Sequence, residues 1–267
     1  MSIARRVIFC TYPSIYSELV LKELLEAADI NIVGVLSSTR ILNKSDSKWR
    51  ASLRQIQLSG LRYAAYLFAI THLYRWIAWG LGKPRFKQQL IAKQIPLFET
   101  DDINSTASID FLRALQPDLL LSAHFNQLLK PEVLALPKLA CLNIHPSLLP
   151  AFKGVDPAFY ALLQQVRETG VTVHKQDEQF DHGAILEQSK LSIRPQDTLF
   201  SLNLKLFKLG ALSAVRQIRQ LTTDTVGYAQ TAEGRYDSWP NPLATKQFRQ
   251  QRRYFRWREY LGFIRYT

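Results

Sequence analysis

The sequence predicts an α/β protein: a doubly wound, mostly parallel sheet with a helical insertion and a short basic C-terminal extension. Three observations lead there. Short apolar runs of the buried-strand type recur at residues 6–10, 30–36, 118–122 and 141–145. Segments with helical spacing of apolar residues lie between them. At 267 residues the chain is long enough for one large domain, or for one domain with a small appendage. Strands that lack polar alternation and are joined through helices require a sheet covered on both faces.

Taken in order, the strand at 6–10 ends in a Thr11-Tyr-Pro-Ser14 turn, and a helix follows over 15–28 with Leu19, Leu21, Leu24 and Leu25 at helical spacing. The second strand is 30–36. The pattern then breaks over an insertion at about 40–95. Its first part, 40–54, is polar and basic, with Arg40, Lys44, Lys48, Arg50 and Arg54. Its second part, 61–81, is apolar and aromatic nearly all round. The longest charge-free stretch there, 63–74, falls well short of the ~20 residues that a spanning helix needs. A helix packed on the protein, or in contact with a membrane surface or a partner, is expected instead of a transmembrane span. Further helices are predicted near 107–115 and 130–135, and further strands at 171–175 and 184–189. A catalytic domain over 1–225 and an extension over 226–267 follow. From Tyr236 the extension is Pro-punctuated and then basic, with Phe248, Tyr254, Phe255, Trp257 and Tyr260 among its cations. Such mixtures suit anion binding and amphipathic helices equally.

Composition narrows the function. With 47% hydrophobic and 21% charged residues, disorder is excluded. Lys and Arg outnumber Asp and Glu by 34 to 22, a formal net charge of +12, which favours anionic partners. Only two cysteines occur, Cys10 and Cys141, both inside apolar runs. That usage fits a reducing compartment better than a disulfide framework. The short apolar run after Arg5 and Arg6 is not a secretory signal, and the cytoplasm is the expected location. No GxGxxG follows the first strand, so a dinucleotide site is not expected. The histidines at 72, 124, 145, 174 and 182 show no metal-ligand spacing, so no metal is expected.

The chemistry concentrates between 141 and 187. Asn143 and His145 sit two residues apart at a strand's end, which places both side chains on one face. In an open α/β sheet, the carboxyl end is where ligands bind. Asp181 precedes Gly183 in a predicted loop between two strands. Acyl transfer to an amine needs donors already aimed at the developing oxyanion, and a base for the amine proton. Amide, imidazole and carboxylate supply both. Ser147 lacks the GxSxG elbow of an acyl nucleophile, so direct transfer is expected.

The set Asn143-Ile-His145-Pro-Ser-Leu-Leu-Pro150, Lys153-Gly154, Gly170-Val-Thr-Val-His174 and Asp181-x-Gly183 resembles the folate-dependent formyltransferases. These include enzymes acting on glycinamide ribonucleotide, on methionyl-tRNA and on sugar nucleotides. The resemblance is strong from about 116 to 192, weaker over 6–38, and absent over 40–95. It implies a Rossmann-like formyltransferase fold and a one-carbon transferase that moves a formyl group from 10-formyltetrahydrofolate to a primary amine. It further implies that Asn143 and protonated His145 bind the formyl oxygen, and that Asp181 keeps His145 charged and takes the amine proton. Thr172 and His174 would support Asp181. The backbone of Asn126, Gln127, Leu128 and Leu129 would recognise the pterin. A loop from Glu178 through His182 to Gly183 would close over it, His182 standing where the family more often has a small, acidic or threonine residue. For the acceptor, the resemblance leaves methionyl-tRNA and an amino-sugar nucleotide open. The Thr11–Ser14 turn and the basic stretch favour RNA, while the length after 225 is short for the tRNA enzyme's C-terminal barrel. A deformylase and a non-catalytic binding module are the weaker alternatives.

Overall fold

A computed structural model describes residues 4–42, 48–84, 86–232 and 234–266, with backbone only at Lys48. Lys44 and the Lys48 side chain therefore lie outside the described residues. Strand β1 (Arg5–Thr11) is buried from Val7 onward. Ser14 and Ser17 then form a reciprocal capping box that opens α1 (Ile15–Glu26), satisfying donors that the first turn leaves free. Strand β2 (Ile30–Ser38) follows. The insertion forms α2 (Lys48–Ser59), then α3 (Leu61–Phe68), a π-helical turn over Ala69–Leu73 and α4 (Tyr74–Gly80), and finally α5 (Phe86–Ala92). Next come β3 (Leu97–Thr100), α6 (Thr106–Ala114), β4 (Leu119–Ala123), α7 (Pro131–Leu134), β5 (Ala140–His145) and β6 (Lys153–Gly154). The chain closes with α8 (Pro157–Leu163), β7 (Glu168–Lys175), β8 (Ile185–Ser192), α9 (Leu199–Gln220), β9 (Tyr236–Asp237), α10 (Pro242–Gln251) and α11 (Trp257–Tyr266).

The sheet runs in the order β3-β2-β1-β4-β5-β7-β8. Its first five strands pair in parallel, as expected of a doubly wound sheet. The last two are antiparallel. Nine residues separate β7 from β8, too few for the helical crossover that a parallel return needs, so the chain makes a hairpin. The chain winds outward from β1 to β3 and then returns to β4 on the other side of β1. The carboxyl ends of β1 and β4 thus form the topological switch point, where such sheets bind ligands.

Two apolar clusters cover the two faces of the sheet. The larger holds α1 and the 22-residue α9, a helix that the strand-centred reading of the sequence passes over. It also takes in the insertion and the tail. Tyr63, Tyr66 and Tyr74 are buried, and their hydroxyls are paired with Asp156 Oδ2, the Tyr16 hydroxyl and Glu18 Oε1, each at 2.7 Å. Tyr260 of α11 donates to the Ala69 carbonyl at 2.7 Å, tying tail to insertion. A buried phenol keeps its place only with such a partner. Among the described residues no helix is long and apolar enough to cross a membrane.

Candidate active site

Strand β5 carries Asn143 opposite Ser122 of β4 and His174 of β7. Those two neighbours fix its amide. The Ser122 hydroxyl donates to Asn143 Oδ1 at 2.8 Å, and Asn143 Nδ2 meets His174 Nε2 at 3.1 Å. His174 Nδ1 faces the Lys175 carbonyl at 2.8 Å. A carbonyl only accepts, so Nδ1 carries the proton, Nε2 is bare, and the amide donates to it. Burial pushes the His174 pKa down to about 4, which keeps the ring neutral and the arrangement intact. Asn143 has one Nδ2 proton left over for a ligand.

His145, two residues on, is oriented by acceptors at both nitrogens. Its Nδ1 lies 3.1 Å from Asp181 Oδ1, and its Nε2 lies 3.0 Å from the Phe152 carbonyl. Only the doubly protonated ring satisfies both. Burial opposes that charge, but the Asp181 carboxylate and the Phe152 carbonyl outweigh it, and the pKa of His145 is raised. Burial likewise opposes the charge on Asp181. The His145 charge and the Gly154 N–H, which donates to Oδ2 at 2.8 Å, overcome it and hold the carboxyl at about 2.

The loop that presents Asp181 is held by its backbone. Asp181 sits at φ +53°, a left-handed conformation that costs a non-glycine residue about 1 kcal/mol. Gln230 Nε2 holds it there by donating to the carbonyls of Asp181 and Gly183 at 3.0 and 3.1 Å. A Cβ on Gly183 would stand 1.9 Å from the Lys175 carbonyl oxygen, and one on Gly154, at φ +96°, would stand 2.3 Å from that of Asp237. The glycines of the two motifs are therefore what let these backbones approach. His124, Phe152 and Asp156 also have positive φ, and such strain collects at functional sites.

A cleft beside the constellation is lined by five of the residues singled out in the sequence: Gln127, Leu128, Asn143, His174 and Asp181. Gln127 is buried, spanning the Ile103 N–H at 2.7 Å and the Ser38 hydroxyl at 2.8 Å. Asn126 is tied to the Ser38 hydroxyl and the Arg40 carbonyl, and Leu129 is buried in the smaller core cluster. Thr172 braces the turn after His145, donating to the Ser147 carbonyl at 2.7 Å and accepting from the Leu149 N–H at 3.0 Å. Its hydroxyl also accepts from Gln188 Nε2 at 3.0 Å, so Thr172 supports that turn and not Asp181 itself. Glu178 and His182 are exposed, with His182 Nδ1 2.7 Å from Asp177 Oδ2, and Gly183 is buried. The cleft also uses Phe180 of the expected closing loop, its neighbour Asp177, and Ser122, Phe125 and Gln176, to which the sequence assigned no role. Ser122 was findable as the end of the strand paired with 141–145. Gly154 stood in a motif but its N–H had no assigned role, and Gln230 carried no signal, because both roles arise from packing.

Among the described residues no group of three or more His, Cys, Asp or Glu is placed to hold a metal. Cys10 and Cys141 are both buried free thiols. Of the basic stretch, Arg40 Nε donates to the Asp101 carbonyl at 2.9 Å, and Arg50 and Arg54 are exposed on α2.

A profile of the formyl transferase family matches residues 81–218. The chain is 33% identical over 133 residues to the methionyl-tRNA formyltransferase of Thermotoga maritima, a stretch covering 50% of this chain and 42% of that protein. It is 35% identical over 139 residues to the GDP-perosamine N-formyltransferase of Brucella melitensis, covering 52% and 54%. The chain thus spans about half the length of these relatives. Its fold resembles that of an N-formyltransferase from Helicobacter canadensis, solved in complex with folinic acid and dTDP-3-aminofucose, with a TM-score of 0.55 and 18% identity over 88% of this chain and 71% of that one. The family match extends over half of the chain and includes the strands and loops that carry Asn143, His145 and Asp181: the chain belongs to the formyl transferase family.

Proposed function

We propose that the protein is an N-formyltransferase that moves a formyl group from 10-formyltetrahydrofolate to a primary amine, with Asn143, His145 and Asp181 as its catalytic residues. One observation carries this reading: Asn143 and Asp181 line one cleft, Asp181 meets His145 at 3.1 Å, and the proton states of the three are already set. The free Nδ2–H of Asn143 and the Nε2–H of His145, here on the Phe152 carbonyl, are two donors for the oxyanion that develops on the formyl oxygen. The Asn143 donor is free as it stands, whereas the His145 Nε2–H reaches the oxyanion only by leaving or sharing the Phe152 carbonyl. Asp181 keeps His145 charged and receives the amine proton, directly or through water. The family resemblance and the folinic acid named for the Helicobacter neighbour support a folate donor, which supplies the formyl group.

The cleft suits a flat heterocycle, since Phe125, Leu128 and Phe180 give it apolar walls, and Gln176 and Asp177 a polar edge. Its volume is about 40 Å³, room for a few waters only. Entry of the folate therefore requires the loop over 177–182 to swing outward, its residues 178–180 being exposed. We assign that loop the closing role, with residues 126–129 on the pterin side. Thr172 and His174 act as positioning residues. The two buried thiols support a cytoplasmic setting.

For the acceptor, an amino-sugar nucleotide and methionyl-tRNA are the two classes that the relatives' names support. Following tetrahydrofolate release from 10-formyltetrahydrofolate tests the proposal. Release that depends on an added amine supports it. Release without amine would mean hydrolysis, and no release with any acceptor would mean a binding module. A screen of amino-sugar nucleotides against methionyl-tRNA then identifies the acceptor.

A further inference from the structure

The helix from Leu61 to Gly80 buries one face, yet the face it turns to water is not polar. Beside Arg62 and Gly80, its exposed positions run at spacings of three and four: Leu61, Ala65, Phe68, His72, Trp76 and Trp79. On that stripe Phe68 stacks on His72 at 5.5 Å and meets Trp76 edge-on at 5.6 Å. A solvent-facing stripe of a surface helix is ordinarily polar, so this helix is inverted on its outer side. A second stripe of the same kind, Trp49, Leu53 and Ile56, is exposed on α2. Four of the five tryptophans of the chain are exposed, Trp49, Trp76, Trp79 and Trp257, at 74%, 62%, 59% and 56%. All four lie in the insertion or the tail, which pack on each other through α11 and α4. Apolar surface of this kind marks a docking site.

Charge says what docks. Residues 47–98 contain nine Lys or Arg and no Asp or Glu, and residues 241–267 contain seven Lys or Arg and one Glu. These two segments carry +9 and +6 of a whole-chain +12, which leaves the rest of the chain at −3. Exposed tryptophan and aliphatic side chains set among cations, with the half-buried Glu259 bonded to Thr198 as the one acidic group of the two segments, match the interface of an anionic bilayer. A nucleic-acid surface uses its aromatics between polar side chains that read or clamp the strand. This stripe offers leucine and alanine at the equivalent positions, with His72 and the flanking Arg62 as the exposed polar groups of the helix. We infer that the insertion and tail form a docking surface that seats the protein on an anionic lipid bilayer, without spanning it. The surface is coupled to the candidate site: Tyr63, on the buried side of the same helix, donates to Asp156, two residues beyond Gly154.

Sedimentation of the full chain with vesicles tests this without reference to turnover, so its outcome is independent of the formyl-transfer reading. Vesicles of 3:1 phosphatidylcholine:phosphatidylglycerol should carry the protein down, pure phosphatidylcholine should do so far less, and raised salt should release it. Trp76→Ser/Trp79→Ser should weaken partitioning about tenfold or more with an unchanged melting temperature, both side chains being exposed. Arg62→Gln/Lys87→Gln should weaken it about fivefold per charge removed. The inference is overturned if the acidic vesicles leave the protein in solution, or if the double tryptophan variant binds them as wild type does. It is also overturned if these substitutions abolish binding to transfer RNA, or a concentration-dependent dimer, in a protein that does not bind vesicles.

Discussion

The end of β5 and the helix after Gly60 handle aromatic and polar side chains in opposite ways. At β5, polar groups are buried and nearly every proton has a named acceptor: Ser122, Asn143, His174 and Lys175 form one directed chain, and His145 is held at both nitrogens. Along the helix, polar tyrosine hydroxyls are buried and satisfied, while tryptophans face water. The first region fixes a geometry, because a buried polar group must keep its partners. The second fixes none on its outer face, because exposed apolar side chains gain only when something covers them. A reaction centre and an adhesive surface thus leave different physical signatures in one chain.

The largest effects should come from the first region. Asn143→Ala removes an oxyanion donor, and kcat should fall by roughly 10²–10³. Asp181→Asn should cost on the order of 10²-fold or more. Single-turnover kinetics with the best acceptor check both, and near wild-type rates in either variant would dissolve the contrast between the two regions.

The pH dependence of kcat at saturating acceptor should sharpen the picture. Activity should be lost as pH falls through about 4, where His174 gains a proton and can no longer accept from Asn143. It should also decline at alkaline pH, as His145 loses its charge above its ordinary value of 6.5. In Asp181→Asn, only the Phe152 carbonyl is left to oppose burial and the Lys153 charge at His145, so the alkaline limb should move to lower pH. Stability follows the same groups. The depressed pKa of Asp181 stabilises the fold above the ordinary carboxylate range and that gain disappears as pH falls to about 2. The raised pKa of His145 stabilises it below about 6.5, a gain lost as pH rises through the folded value. The pair therefore contributes fully between about pH 4 and 6.5.

A smaller effect is expected at Gly183, where Ala would place a carbon against the Lys175 carbonyl. Overpacking of this kind should cost about 1–3 kcal/mol by urea titration, and it should lower kcat by shifting Asp181. Tyr63→Phe probes the joint between the regions. Burial raises the Asp156 pKa to about 6 even with the tyrosine hydroxyl bonded to it. Removing that donor should cost about 1–3 kcal/mol at pH 8, and less below pH 6, where the carboxyl takes up a proton. A cost that does not vary with pH would show that the link is not electrostatic.

Legibility divided along similar lines. The strands at 6–10, 30–36, 118–122 and 141–145 were readable because apolar runs of that length have few other fates. The long α9 is equally legible in its leucine spacing and its Thr198 cap. Asn143, His145 and Asp181 stood out because their motifs are compact in sequence. Their supports Gln230 and Asp237 did not, since they serve the site only through contacts between distant segments.

By itself, then, the sequence determined the α/β class, the family, the pairing of Asn143 with His145 on one face, and the basic, aromatic character of the insertion and tail. Each is a local property, set by period, composition or a short motif. Only the tertiary structure decided that the sheet ends in an antiparallel hairpin, that His174 is neutral and His145 charged, and that tryptophans line the outside of the helix after Gly60. Burial and the identity of a hydrogen-bond partner belong to no single segment: they exist only once segments far apart in the chain are packed together.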